Sequence, residues 1–198
     1  MTPPPIILAS ASPRRRELLD LLGWPFEVVP GDAVEITAGA MTPSEACQLN
    51  AYRKARSIAK RIPDAVVIGA DTEVCLGPKT LGKPADLAEA GAMLQRLSGR
   101  AHQVVTGVCL LHLRKHLQVC FAEMTDVHFH RLSPAQRSAY LQRIHPFDKA
   151  GAYAVQEHGH LIIERLDGSF SNVVGLPLER LSVELRRFLA IVEALDTE

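Results

Sequence analysis

The chain has 198 residues, 47% of them hydrophobic, enough for one enzyme-sized unit or two small lobes around a real core. Lysine plus arginine and aspartate plus glutamate both number 22, so there is no global basic field to draw in nucleic acid, and any anion site is local. The four cysteines, Cys47, Cys75, Cys109 and Cys120, contain no CxxC pair and fit neither a disulfide framework nor a zinc site. With "IILA" too short for a signal-peptide core and no membrane-length apolar run, a cytoplasmic protein without membrane contact is expected.

In chain order, "PIILAS" reads as a short buried strand feeding a helix in "SPRRRELLDLLG". Ser12 suits the N-cap, Pro13 the first helical position, Leu18, Leu19 and Leu22 one apolar face, and Gly23 the stop. Arg14, Arg15 and Arg16 thereby crowd a helix end that already carries about half a positive charge, where each added cation is unfavourable by roughly 0.3 to 1 kcal/mol. Removing an uncompensated one of them is expected not to destabilise the empty protein. "FEVVP" is a second strand, and "TPSE" at 42–45 is a capping box opening a long helix with Lys54 near its middle. "AVVIGADTEVCL" is a buried strand that changes character where Asp71 follows the apolar run.

After a turn and "LGKP", Asp86 and Glu89 frame another helix start, with Met93, Leu94 and Leu97 apolar before "SGR". "HQVVTGVCLLHL" and "LQVCFAEMTDVHFH" predict a long hairpin, and "SPAQ" at 133–136 caps a short helix ending near Arg143. "DKAGAYAVQ" is a loop of small residues and "HLIIERLDGSF" a strand and turn. The C-terminal helix carries Leu178, Leu181, Leu185, Leu189 and Val192 on one stripe. Mixed strands and helices without repeats or a linker predict a single α/β or α+β domain.

Three constellations could carry chemistry. Ser10, Ser12, Arg14 and Arg15 combine backbone N–H groups, hydroxyls and guanidinium forks into a phosphate cradle. The competing arrangement has the arginines outward, paired with Glu17 or Asp20. Asp71 with Thr72 could hold a divalent metal or orient a water, or Asp71 could cap a turn, and Glu35 and Glu73 are either further oxygen ligands or merely solvated. Lys54, Lys83 and Lys149 suit phosphate oxygens as point charges, or sit at the surface. "GPKTLGK" at 77–83 imitates a Walker A loop but is followed by Pro84 where Ser or Thr is needed. His128 and His130 lack an identifiable third ligand.

Taken in order, "LASASPRRRELLDLLG", "IGADTEV", "LGKPAD", "LSGRAHQVVTGV", "DKAGAYAVQ" and "GSFSNVVGLPLERL" resemble the Maf family of nucleoside triphosphate pyrophosphatases, once described as septum formation inhibitors. The resemblance runs from about Ile6 to Leu189. It implies an α/β fold of two lobes of mixed sheet and helices around a deep cleft, distantly similar to the inosine triphosphate pyrophosphatases, in one domain over residues 1–198. It also implies hydrolysis of a nucleoside triphosphate between the α and β phosphates with a divalent cation, magnesium or manganese, and a homodimer.

By the same resemblance, Ser10, Arg14 and Arg15 contact phosphates, Asp71 is the proton acceptor, Glu35 is the acid of "GDAVE", and Lys54 and Lys83 are the helix and "GKP" lysines. Asp71 and Glu35 are the implied metal ligands. The "DKAGAYAVQ" segment is similar to the branch acting on dTTP and UTP, whose specificity positions fall on Arg14, Thr72 and Gln156. Glu73, where an apolar residue is usual, and the acid-poor "GDAVE" depart from the family pattern. Two rival readings remain: a noncatalytic regulator of cell division binding nucleotides or nucleic acid, which would not need Asp71, and a pyrophosphatase for modified purine nucleotides. Lack of aromatic stacking motifs counts against nucleic acid.

Overall fold

The apolar run after Pro5 forms β1 (Ile6–Leu8), buried at every residue, in the computed structural model of the chain, which describes residues 4–31, 33–36, 39 and 41–195. α1 (Pro13–Asp20) follows with Pro13 at its start and buries Leu18 and Leu19. β2 (Glu27–Val28) and β3 (Val66–Leu76) flank β1, both parallel to it. Between them runs α2 (Pro43–Ala59), whose capping box closes as expected: Glu45 N donates to Thr42 Oγ1 at 3.3 Å and Thr42 N to Glu45 Oε2 at 2.7 Å. The strand bearing Asp71 does not end there but continues to Leu76, where β4 (Lys79–Leu81) folds back antiparallel on it. A strand so short, with Lys79 and Thr80 exposed, carries no alternation to read, and its presence removes any phosphate-loop geometry from "GPKTLGK".

α3 (Leu87–Leu97) starts on an Asp86 side chain that accepts from Glu89 N at 2.7 Å. The predicted hairpin is β5 (Ala101–His112) and β6 (Leu117–Phe129). α4 (Pro134–Leu141), β7 (Ile163–Asp167), the unforeseen one-turn α5 (Phe170–Val174) and α6 (Leu178–Ala194) complete the order. The strands form a seven-stranded mixed sheet, β2-β1-β3-β5-β6-β7, with β4 on β3. On α6 the buried stripe is Leu181, Leu185, Phe188 and Val192. Phe188 replaces the expected Leu189 because the stripe advances by three residues after Leu185. No helix of the described residues is long and apolar enough to cross a membrane.

The chain divides into two compact units, Met1–Asp71 with Thr106–Glu123 and Gly175–Glu198, and Thr72–Val105 with Met124–Val174. In the first, α2 presents Cys47, Ala51 and Ala55 to the sheet, all fully buried. Small residues are matched by glycine opposite: a Cβ on Gly69 would stand 2.1 Å from Ala51 O, and one on Gly107 would stand 2.3 Å from the Cys47 carbonyl carbon. The helix therefore lies directly on sheet backbone.

The second unit packs Val74, Leu94, Leu97, Val127, Phe129, Tyr140 and Tyr153 together. Inside it His102 donates or accepts at Tyr153 Oη, 2.8 Å away, and meets the Phe129 and Tyr153 rings edge-on. Burial, reinforced by His128 and opposed by Asp126, pushes His102 down to about 4. Between that value and the ordinary 6.5 the unfolded chain binds the proton and the folded chain does not. Stability should therefore fall as pH drops through this window, by about 3 kcal/mol in all. Denaturant titrations at pH 7, 5.5 and 4 measure it. His102→Gln, which cannot titrate but can still bond Tyr153, should flatten that part of the profile, and equal curves for both proteins would exclude a buried neutral His102.

Candidate active site

A carboxylate inside a core strand requires partners, and α2 supplies two of them. Asn50 and Lys54 lie one helical turn apart and so share a face. Lys54 Nζ donates to Asp71 Oδ1 at 2.7 Å, while Asn50 Nδ2 donates to Asp71 Oδ2 at 3.0 Å. Lys54 Nζ also reaches Glu35 Oε1 at 2.7 Å and Ala70 O at 3.5 Å. The side chains of Asp71 and Lys54 are 8% and 14% exposed, whereas that of Glu35 is 60% exposed, so the cluster is walled in on one side and open on the other. Asp71, Glu35 and the Ala70 carbonyl thus converge on one cation, the Lys54 ammonium. Carboxylate and carbonyl oxygens are also the donors that a hard divalent ion takes, and the ligand atoms of Asp71, Glu73 and Cys47 lie within 4.8 Å of one another.

Asn50 is a residue that sequence reasoning missed. It is 2% exposed, and besides Asp71 it binds both backbone groups of Ile36: Oδ1 accepts from Ile36 N at 2.8 Å and Nδ2 donates to Ile36 O at 3.0 Å. One carboxamide thus holds the strand carboxylate and the residue next to Glu35. The available signal was its place four residues before Lys54, on a helix otherwise lined with small residues. Asn50→Leu fills the space but leaves these groups without it. A loss of about 1 to 3 kcal/mol in chemical denaturation is expected, and an unchanged midpoint would show that water replaces the carboxamide.

The arginine cluster resolves unevenly. Arg15 folds back from α1: Nε donates to Gly175 O at 2.9 Å, and Nη1 donates to Ala70 O at 2.9 Å and to Ser10 Oγ at 3.3 Å. Ser10, nearly buried, also accepts from Ser12 N at 3.2 Å. Ser12 is the N-cap residue by backbone geometry, but its hydroxyl makes no capping bond. Burial pushes the Arg15 guanidinium below its ordinary value, with Asp71 and Glu35 pulling the other way. Arg15 is therefore not an uncompensated cation, since its bonds satisfy two main-chain carbonyls, and the expectation of removal without loss of stability does not extend to it. Arg14 is half-buried and Arg16 exposed.

The structure thus brings Ser10, Arg15, Glu35, Lys54 and Asp71 into one bonded network in the first unit. Thr72, Lys83, Lys149 and Gln156 belong to the second unit. There, Thr72 is half-buried, Lys83 and Gln156 are exposed, and Glu73 accepts from Thr80 Oγ1 at 3.4 Å. The Lys149 side chain is 5% exposed and its ammonium meets His145 O at 2.8 Å, Asp148 Oδ1 at 2.8 Å and Glu157 Oε1 at 3.1 Å. Three acceptors match its three donors, so Lys149 braces the "DKAGAYAVQ" segment. His128 pairs with Asp167 at 3.0 Å, which accounts for it without a metal.

A family model described as Maf-like protein matches residues 5–188. The chain is 43% identical over 183 residues to a protein of Bacillus cereus named dTTP/UTP pyrophosphatase, covering 92% of this chain and 89% of that one. It is 45% identical over 184 residues to a protein of the same name from Bacillus velezensis, covering 92% and 96% respectively. Among solved structures it is similar to a HAM1 protein from Coxiella burnetii, with a TM-score of 0.52 over 93% of this chain and 99% of that chain. At 16% identity that likeness concerns the fold alone.

Proposed function

Because this chain belongs to the Maf-like protein family, we propose that it is a nucleoside triphosphate diphosphatase that hydrolyses dTTP and UTP to the monophosphate and pyrophosphate. The observation that carries the chemistry is the Asp71–Lys54–Glu35 cluster bonded beside Arg15. In this reading Ser10, Ser12 and Arg14 at the start of α1 take phosphate oxygens, where N–H groups and the helix end favour anions. Arg15 fixes that start against β3 and adds its charge. Asp71, held in orientation by Asn50, accepts the proton of the attacking water, and Lys54 neutralises charge that develops on the phosphates. Magnesium or manganese, held by Asp71 and Glu35, would supply further charge neutralisation and a more acidic water. No covalent intermediate is needed, since positioning and electrostatics suffice for departure of pyrophosphate.

Lys83 is a further candidate for phosphate contact and Thr72 and Gln156 are the candidate base-selective positions, whereas Lys149, with its three donors already taken, serves as a brace. Uracil and thymine present two carbonyl acceptors and one N–H donor, and the Gln156 carboxamide offers both complements. A nucleotide panel with product analysis tests the whole reading. With magnesium or manganese, dTTP and UTP should release pyrophosphate, and chelation should stop it. Orthophosphate as the sole primary product would place cleavage at the γ phosphate and end this proposal. In the same panel Gln156→Ala should lower kcat/KM for dTTP and UTP more than for GTP, whereas one common factor for all would remove its selective role.

A further inference from the structure

β5 ends at His112 and β6 begins at Leu117, and at the far end of the hairpin Phe129 N donates to Arg100 O at 3.1 Å. Both ends give one register, in which Cys109 lies opposite Cys120. The two thiols meet in a mutual hydrogen bond. Gln118, which points to the same face two residues away, donates its amide to the Cys120 sulfur at 3.5 Å. Cys109 is fully buried beside Ala51, Ala55 and Val67, while Cys120 is half-buried at the edge of this cluster.

The two thiols are therefore unequal. Cys120 is the accessible one and accepts from Gln118, while Cys109 is buried; hydrogen bonding within the pair holds Cys120 below the ordinary thiol value, and the same bond together with burial pushes Cys109 up. We propose that this pair is a reversible thiol modification site, in which Cys120 attacks a low-molecular-weight disulfide such as oxidised glutathione and Cys109 resolves the adduct into a cross-strand disulfide. In the first step the Cys120 thiolate bonds to one sulfur of the small disulfide and expels the other as thiolate. In the second, Cys109 loses its proton, bonds to the Cys120 sulfur and expels the second small thiolate. Two cysteine thiols are oxidised, one small disulfide is reduced, and the two protons end on the two released thiols.

Adduct formation ends the hydrogen bond within the pair that pushes Cys109 up, so the first step releases the second. Geometry permits closure, because directly opposed residues on antiparallel strands have Cα atoms about 4.5 to 5.5 Å apart, inside the roughly 4.4 to 6.8 Å that a disulfide spans. The pair shares no residue with the Asp71 cluster and does not depend on the activity proposed above.

The test incubates the folded, reduced chain with oxidised glutathione, blocks remaining thiols, and reads intact mass and peptide maps. Wild type should lose two hydrogens, with the peptides containing Cys109 and Cys120 linked and Cys47 and Cys75 still reduced. Cys109→Ser should stop at a glutathione adduct on Cys120, and Cys120→Ser should react at least about tenfold more slowly. Circular dichroism confirms that both variants remain folded. A wild-type chain that keeps all four thiols, or carries glutathione on Cys120 without closing the bridge, overturns the proposal, as does a Cys120→Ser variant that reacts as fast as wild type.

Discussion

Asp71→Asn should turn over dTTP at least about a hundredfold more slowly than wild type while remaining folded, the loss expected when a positioned acid-base group is removed. Asparagine preserves the shape of the side chain, but one of its two positions must now present an N–H. That group faces either the Lys54 ammonium or the Asn50 amide, both of them donors, so the carboxamide can satisfy only one neighbour. The variant loses the negative charge that would take a proton or share a hard cation with Glu35. Lys54 keeps Glu35 as a partner at 2.7 Å, which spares the fold an unpaired ammonium. Pyrophosphate release measured beside a thermal melt separates the two effects. Turnover near that of wild type would exclude Asp71 from both the proton and the metal role.

The second large effect belongs to Arg15. Truncation to alanine removes the donors that serve Ala70 O, Gly175 O and Ser10 Oγ, and should cost about 2 to 3 kcal/mol of stability, since bonds from a charged donor are worth more than neutral ones. For a chain of this size that lowers Tm by roughly 5 to 10 °C. The displaced start of α1 should also lower kcat/KM by roughly ten- to a hundredfold. Arg16→Ala, at an exposed position on the same helix, is the internal comparison and should change neither quantity appreciably. Matching small losses for both variants would return the arginine cluster to the role of a solvated helix face.

Local chemistry was legible in the amino-acid order. The Thr42 and Ser133 capping boxes and the Asp86 cap each form where their spacing predicts, because a helix start is decided within four residues. The hairpin and the α/β class were legible for a similar reason, as long apolar runs bounded by turns. Asp71, Lys54 and Glu35 were reachable as candidates, yet their bonding was not, since helix and strand meet only in the tertiary fold. Asn50 has no pattern of its own: a buried amide inside a helix reads as an interruption until its partners at Ile36 and Asp71 are seen. β4 and α5 are too short to show a period. The meeting of Cys109 with Cys120 needs the hairpin register, which two cysteines in an otherwise ordinary sequence do not announce.

The contact of α2 with bare backbone at Gly69 and Gly107 has a consequence for inheritance. The reach of Asn50 and Lys54 to Asp71 is set by how closely the helix rests on the sheet, and that spacing is set by two missing side chains. A methyl group at Gly69 would stand 2.1 Å from Ala51 O, so the helix must lift before alanine fits. Lifting it withdraws the amide and the ammonium together. In a survey of random variants Gly69 would therefore score with the residues of the catalytic cluster, although it has no functional group. Changes at Gly69 and changes in α2 should be tolerated only as matched pairs, so lineages can explore this region by double steps or hold it still.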